Sequence, residues 1–476
     1  MHKQQHGLTV NVMAPLLVGN PANLDSSESH AAWQDFATQL REIKKLGAYA
    51  VSTDVWWGII EPREGAFDWS YYDRLARMIR AAGLKWIPIL SFHQCGGNIG
   101  DDVFVPLPAW VWIKLARLLN GHADAAKFVS EQGNASNEYV SIWATPLILD
   151  SYIAVMKAFQ AHYAFMAADI VEINISLGPA GELRHPSYNS HDKGTDYPTR
   201  GALQAYSSLA RAAFISSVAR KYKTSAALDR AWGKPLDKKT GHVIEAPRDV
   251  EHFFRHEAHR TTQYGRDFFD WYSDSLIEHG RLVMTAAIEV FASKHAPFAG
   301  IDLAAKVPGI HWRVGRWNGG NVELTDRLAE LSAGLIRTSQ NDWNETDGMG
   351  YRPLLSLFQQ LAKSTCQSRV VLHFTCLEMA DGDGAPGVNS MAYSLVRWVG
   401  REAAKMGLPI KGENALGFTL GSAESWHRIC SHLQVPGNDG AYEGVTFLRM
   451  GTILDSPVGR QEMLRLKNQL VQLKIA

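Results

Sequence analysis

Three stretches of this 476-residue chain share one grammar: a polar cap, an apolar stripe at helical spacing, a glycine stop, then an apolar run of strand length. Asp25, Ser26 and Ser27 precede Trp33, Phe36, Ala37, Leu40 and Ile43, which fall on one helical face, and Gly47 supplies a left-handed stop before the run Ala48 to Gly58. Ser70 can cap a second helix with a buried face of Tyr71, Leu75, Met78, Ile79 and Ala82, ended by Gly83 and followed by the run Lys85 to Cys95. Downstream, Leu395, Trp398, Val399 and Met406 form a third stripe, with Gly407 as its stop before Pro409 to Leu416. The remaining strand-like runs are Val10 to Val18, Ile170 to Pro179, the first half of Phe298 to Trp312, Arg369 to Met379 and Gly444 to Met450. Eight strands alternating with helices are what a (β/α)8 TIM barrel of the α/β class requires. No composition shift divides the chain, so residues 1–476 are expected to form a single barrel domain. Long βα-loop insertions are expected at about 96–144, 180–297 and 313–351, where they would build the catalytic face.

Composition narrows the partners. With 48 Lys and Arg against 48 Asp and Glu and no long run of one sign, nothing drives counterion-release binding to nucleic acid or anionic lipid. No stretch approaches about 18 consecutive apolar residues, so no membrane partner is expected. The residues from Met1 to Leu8 do not read as a signal peptide, which suggests a cytoplasmic protein, or a secreted one whose leader was removed. Cys95, Cys366, Cys376 and Cys430 are too sparse for a disulfide framework and lack CxxC spacing, and read as free thiols. A monomer without cofactor or required metal is expected.

Polar or ionisable residues recur at the ends of the proposed strands: Asp54, His93, Glu182 just past Pro179, Lys306, Thr375, Glu413 and Arg449. A charge inside a barrel strand is costly unless it sits near the carboxyl end, where the loops converge on one pocket. Glu182 and Glu413 follow the fourth and seventh strands, on nearly opposite sides of such a mouth, where two carboxyls can flank a glycosidic bond as acid and base or nucleophile. The alternative for each is a structural ion pair, to Arg184 or Lys411. Trp56, Trp57, Trp110, Trp112 and Trp312 could stack on sugars, although most of the 15 Trp must be core.

Two motifs mislead. Gly382 to Gly387 matches GxGxxG, but Pro386 removes an amide donor and Asp381 and Asp383 would repel a pyrophosphate. His256 to His259 resembles HExxH, yet position 260 is Arg260, and His252 with His256 lacks a third ligand and reads as a solvated helix face.

Several segments together resemble the beta-amylase family of glycoside hydrolases: Asp54 to Gly58, Ser91 to Asp101, Gly178 to Arg184, Lys306 to Trp312, Phe374 to Met379 and Gly412 to Leu416. They occur in order and span the chain from about Met13 to Arg449. The resemblance implies an exo-acting enzyme that releases β-maltose from the non-reducing ends of α-1,4-glucans with inversion. It implies Glu182 as general acid and Glu413 as general base, with Asp54, His93, Lys306, His311, Trp312, Asn414, Ala415, Leu416 and Arg449 as the sugar-binding shell. Asp101 belongs to a glycine-rich segment, Gly96 to Val103, similar to the family's mobile lid, and Thr375 is similar to an inner-loop threonine that orients Glu182 or the leaving sugar. Cys95 and Cys376 would flank the site and make it sensitive to thiol reagents. Inversion further requires a raised pKa at Glu182 and an ionised Glu413, favoured by Lys306. Arg313 and the stretch Val314 to about Arg327 depart from the family pattern, which leaves chain-length preference open. Glu61 to Gly65 does not reproduce the calcium ligands of some relatives, and a starch-binding module is not seen, so granular starch should be a poor substrate. The rivals are a retaining barrel glycosidase and a non-catalytic glucan-binding protein on the same scaffold.

Overall fold

The computed structural model describes residues 7–96, 101–189, 191–235, 241–318, 321–339, 349–365, 367–382, 390–435 and 439–475. Eight parallel strands close into a barrel: β1 Thr9–Met13, β2 Ala50–Trp56, β3 Lys85–Ser91, β4 Glu172–Ile175, β5 Asp302–Val307, β6 Val370–Phe374, β7 Ile410–Glu413 and β8 Gly444–Phe447. They neighbour one another in chain order, and β1 seals the barrel against β8 with Val10 opposite Val445 and Val12 opposite Phe447. Seven of the strands lie within the expected apolar runs, and β1 begins one residue before its run, at Thr9. Strands covered by helices outside and packed side chains inside lose the alternation of a half-exposed sheet, which is why these runs are nearly continuous.

Each strand leads to a helix of the outer shell: α1 Ser27–Leu46, α2 Ser70–Ala81, α3 Thr145–Tyr163, α4 Gln263–Phe291, α5 Arg352–Ser364, α6 Ala392–Lys405, α7 Ala423–His432 and α8 Pro457–Ile475. The ends of α1 follow the sequence signals. The Ser29 N–H donates to Ser26 Oγ at 3.1 Å, and Gly47, at φ 106°, turns its N–H back to the Ile43 and Lys44 carbonyls. Trp33, Phe36, Leu40 and Ile43 are buried, and Ala37 is half-buried.

Helix α2 departs from its expected cap and face. Ser70 is its first helical residue, and the Asp68 carboxylate accepts the Ser70 N–H at 2.9 Å. The buried face is Tyr71, Tyr72, Leu75, Ala76 and Ile79, while Met78 and Ala82 are half-buried. The reason is polar: the Tyr71 hydroxyl accepts the Val18 N–H at 2.7 Å and the Tyr72 hydroxyl accepts the Trp56 N–H at 2.8 Å, which turns both rings inward. In α6, Leu395 and Val399 are buried, Trp398 is half-buried, and Gly407 at φ 66° follows the end of the helix.

The connections hold their own elements. Residues 96–144 contain a helix, Ala109–Leu118, and a hairpin of Lys127–Val129 with Ala135–Val140. The stretch 180–297 contains helices Ser208–Tyr222 and Ser225–Trp232, but its last part is α4 itself, so the insertion proper is shorter than its expected bounds. The third begins with an antiparallel pair, Val314–Asn318 and Asn321–Asp326. Ile142–Met166, which includes α3, is the one span among the described residues long and apolar enough to cross a membrane by length and composition. Asp150, Lys157 and His162 interrupt it, and Ile148, Tyr152, Val155 and Phe159 are buried in the barrel shell.

Candidate active site

Glu182 lies just beyond β4, where the chain makes a tight turn over Pro179–Gly181. A Cβ on Gly178 would sit 2.4 Å from the Glu182 carbonyl oxygen, so only glycine permits this closure. Gly181, at φ 79°, is backed by the His93 ring, 3.3 Å from where its Cβ would be. The turn brings Glu182 back into register with Lys306 of β5, and the Leu183 N–H donates to the Lys306 carbonyl at 2.8 Å. The side chain of the same lysine donates to Glu413 Oε2 at 2.8 Å. Lys306 therefore ties the two carboxylate-bearing segments together, through its backbone on one side and its ammonium on the other.

The two carboxyls have opposite electrostatics. Burial pushes Glu182 above its ordinary pKa, and the charge of Glu413 pushes the same way; Arg184, whose Nε donates at 2.8 Å, and Lys306 oppose this without cancelling it. Burial also pushes Glu413 up, but Lys306 and His373 overcome it and hold that carboxyl at about 2. One carboxyl is set to keep a proton and the other to lose it. The ion pair considered for Glu182 exists, with Arg184, and a proton-holding role is compatible with it because burial outweighs it. The pair considered for Glu413 with Lys411 does not form; Lys411 donates instead to Glu172 Oε2 at 2.5 Å.

The surrounding residues are gathered at the same mouth. Asp54 accepts from the Ser91 hydroxyl at 3.0 Å and lies 3.9 Å from Arg449, whose guanidinium also donates to the Ala14 carbonyl. His93 is 2.8 Å from Ser176 Oγ and packs edge-on to Trp56; burial lowers its pKa to about 4 and keeps it neutral. His311 is 2.8 Å from Ser390 Oγ, and the Trp312 indole donates to the Thr199 carbonyl while meeting Tyr188 and Tyr197 edge-on. Asp101 accepts the Gly96 N–H at 2.9 Å; residues 97–100 of the expected lid lie outside the described residues.

The remaining expected site residues and thiols have protein surroundings of their own. The Thr375 hydroxyl accepts the Gly309 N–H at 2.9 Å, where the loops after β5 and β6 cross closely. Asn414 spends its amide on the Leu416 and Leu448 carbonyls and the Leu448 N–H, so it splices two loops. Ala415 and Leu416 direct their N–H groups to the Glu378 carboxylate at 2.8 to 3.0 Å. Trp56 and Trp57 are fully buried core; the Trp57 indole donates to Glu61 Oε2 at 2.6 Å, and the Trp56 indole donates to the Leu16 carbonyl. Cys95 and Cys376 are buried, and burial pushes the Cys95 thiol up to about 12 and Cys376 well above its ordinary value, which argues against the expected thiol sensitivity. Cys366 and residues 383–387 of the GxGxxG match lie outside the described residues. His252 and His256 are exposed, and no cluster of three or more His, Cys, Asp or Glu among the described residues has the grouping of a metal site.

The family model for glycosyl hydrolase family 14 matches residues 12–473, nearly the whole chain. The chain belongs to glycosyl hydrolase family 14. It is 35% identical over 424 residues to the thermophilic beta-amylase of Thermoanaerobacterium thermosulfurigenes, covering 88% of this chain and 68% of that protein. To the beta-amylase of Cytobacillus firmus it is 35% identical over 432 residues, covering 90% and 82%. The crystal structure of the catalytic domain of beta-amylase from Paenibacillus polymyxa superposes with a TM-score of 0.78 at 31% identity, covering 97% of this chain and 98% of that one. The resemblance drawn from the sequence segments therefore holds along the family 14 barrel.

Three residues of this family 14 site escaped the sequence reading. His373 in β6 places Nδ1 3.1 Å from Glu413 Oε1 and Nε2 2.8 Å from Glu172 Oε1. Glu172, on β4, is fully buried and carries Lys411 on its other oxygen. Glu378 is held by backbone amides of the loop after β7, and burial raises its pKa to about 7 against those bonds. One signal was available: Glu172, His373 and Lys411 are ionisable residues within apolar strands, and in a closed barrel such side chains must meet inside.

Proposed function

We propose that this chain is an exo-acting, inverting glycoside hydrolase that releases β-maltose from the non-reducing ends of α-1,4-glucans, with Glu182 as general acid and Glu413 as general base. The observation that carries the reading is the opposed ionisation of two carboxyls linked through Lys306. Glu182 donates its proton to the glycosidic oxygen as the bond to C1 breaks. A water on the far face of the sugar attacks C1 while Glu413 takes its proton, so the new hydroxyl is β. Glu182 ends ionised and Glu413 protonated, and exchange with solvent restores both. The Glu182 side chain retains 13% exposure, which leaves it accessible from the mouth. Family 14 membership and the named beta-amylase relatives support the substrate class. We read the chain as acting as a monomer, and the even charge balance supports the reading without nucleic-acid or membrane partners.

Proton NMR of the protein acting on maltopentaose tests this. The expected first product is β-maltose. Initial α-anomer would recast Glu413 as the nucleophile of a double displacement, and glucan binding without product would make the chain a binding protein.

A further inference from the structure

The catalytic mouth of the barrel is joined to its interior by an unbroken series of ionisable side chains. Lys306, His373 and Lys411 lie in register on the neighbouring strands β5, β6 and β7. Two carboxylates interleave with them. Lys306 meets Glu413, Glu413 meets His373, His373 meets Glu172, and Glu172 meets Lys411 at the far end, where Asp302 lies 3.8 Å beyond. His373 is 1% exposed, and each ring nitrogen faces a carboxylate oxygen. A neutral imidazole has a single N–H and would turn a lone pair toward one of those oxygens. An imidazolium satisfies both.

We propose that His373 is a positioning residue for the general base, a buried imidazolium clamped between Glu413 and Glu172 that keeps Glu413 ionised and aimed at the attacking water. This deepens the function proposed above and rests on it. Glu172 is the anchor: Asn174 Nδ2 donates to the same oxygen that faces His373, at 2.8 Å, and Lys411 holds the other, so the far carboxylate is fixed from two sides. The charged groups bearing on the ring are Glu413 from β7 and Glu172 from β4, with Lys306 and Lys411 each one contact further away. Burial disfavours the ring's charge, yet the two carboxylates outweigh it and raise the pKa of His373 above its ordinary value. The cation is thus retained toward neutral pH and lost only as pH rises through that raised value.

The test is the pH dependence of kcat/KM for maltopentaose hydrolysis in wild type, His373→Asn and Glu172→Gln. Removing the imidazolium takes a cation from beside Glu413, so the acidic limb should move to higher pH by about one unit in His373→Asn. In Glu172→Gln, which keeps the ring but weakens its hold on the proton, the limb should move the same way by less. The basic limb, set by Glu182, should stay. A uniform loss of rate at every pH with the acidic limb unmoved, in variants whose circular dichroism matches wild type, would overturn the proposal. Should His373→Asn fail to fold, Glu172→Gln carries the same criterion. Nitrogen-15 NMR of wild type gives a readout independent of turnover: one buried histidine should carry protons on both ring nitrogens at neutral pH and lose that state on Glu172→Gln, and its absence would also overturn the proposal. A wild type that releases no maltose but shows this doubly protonated ring would break the functional reading and leave the clamp standing.

Discussion

The two sides of the barrel mouth hold a carboxyl in contrasting ways. Around Glu182 the dominant influence is burial, opposed directly by one guanidinium, that of Arg184, which is itself drawn over the Tyr188 ring. Around Glu413, burial is as complete, but an ammonium and an imidazole contact separate oxygens of the carboxylate. The same residue type at the same depth becomes an acid on one side and a base on the other, and the number of cations in contact decides which. The difference also shows what the interior charges do. A barrel core could be wholly apolar, and desolvating Lys306, His373, Lys411, Glu172 and Glu413 is costly; the benefit appears at Glu413.

Removing either carboxyl breaks the comparison outright. Glu182→Gln and Glu413→Gln should each lower kcat on maltopentaose by about 10² to 10⁴-fold with folding intact, read by steady-state assay beside circular dichroism. Near-normal turnover in either variant would sink the assignment. Lys306→Met makes the Glu413 side more like the Glu182 side. Its acidic limb should move up by about one to two pH units, and kcat/KM below neutrality should fall by about tenfold or more; a profile superimposable on wild type would show that His373 alone holds Glu413 down.

A smaller effect is expected at Glu378, which touches neither carboxyl but holds the loop that follows Glu413. Its folded pKa of about 7 lies above that of an unfolded glutamate, so its contribution to stability is full below about pH 4.3 and is lost as pH rises through about 7, by up to about 4 kcal/mol. Glu413 has the opposite sign: its contribution is present above about pH 4.3 and is lost as pH falls toward about 2. In Glu378→Gln the fall in thermal midpoint between pH 5 and pH 8 should flatten, and an unchanged slope in a scan series would contradict the link.

The scaffold was legible in the sequence to a degree the site was not. Burial on both faces leaves each barrel strand as an apolar run, and a serine cap with a glycine stop marks a helix such as α1 without tertiary knowledge. Helix α2 shows the limit: periodicity found the helix, but the inward turn of Tyr72 depends on a backbone N–H of Trp56, which no local pattern reveals. The strand-end carboxyls could be picked out because charge at that position is rare. His373 does not stand out, because a lone histidine within an apolar strand resembles a packed core residue, and only barrel closure brings Glu172 of β4 against it. Trp56 and Trp57 mislead for the converse reason. Adjacent tryptophans beside a site residue suggest a sugar platform, whereas their indole N–H groups are spent on Leu16 and Glu61 inside the core.

The division of labour between the two sides is tested most directly by a substrate whose leaving group needs no proton. Turnover of α-maltosyl fluoride and maltopentaose should be compared in Glu182→Gln and Glu413→Gln. Glu182→Gln should lose the glucan but keep most of its activity on the fluoride, because an acid is dispensable there, while Glu413→Gln should fail on both. The reverse pattern, with Glu413→Gln rescued by the fluoride and Glu182→Gln not, would contradict the account.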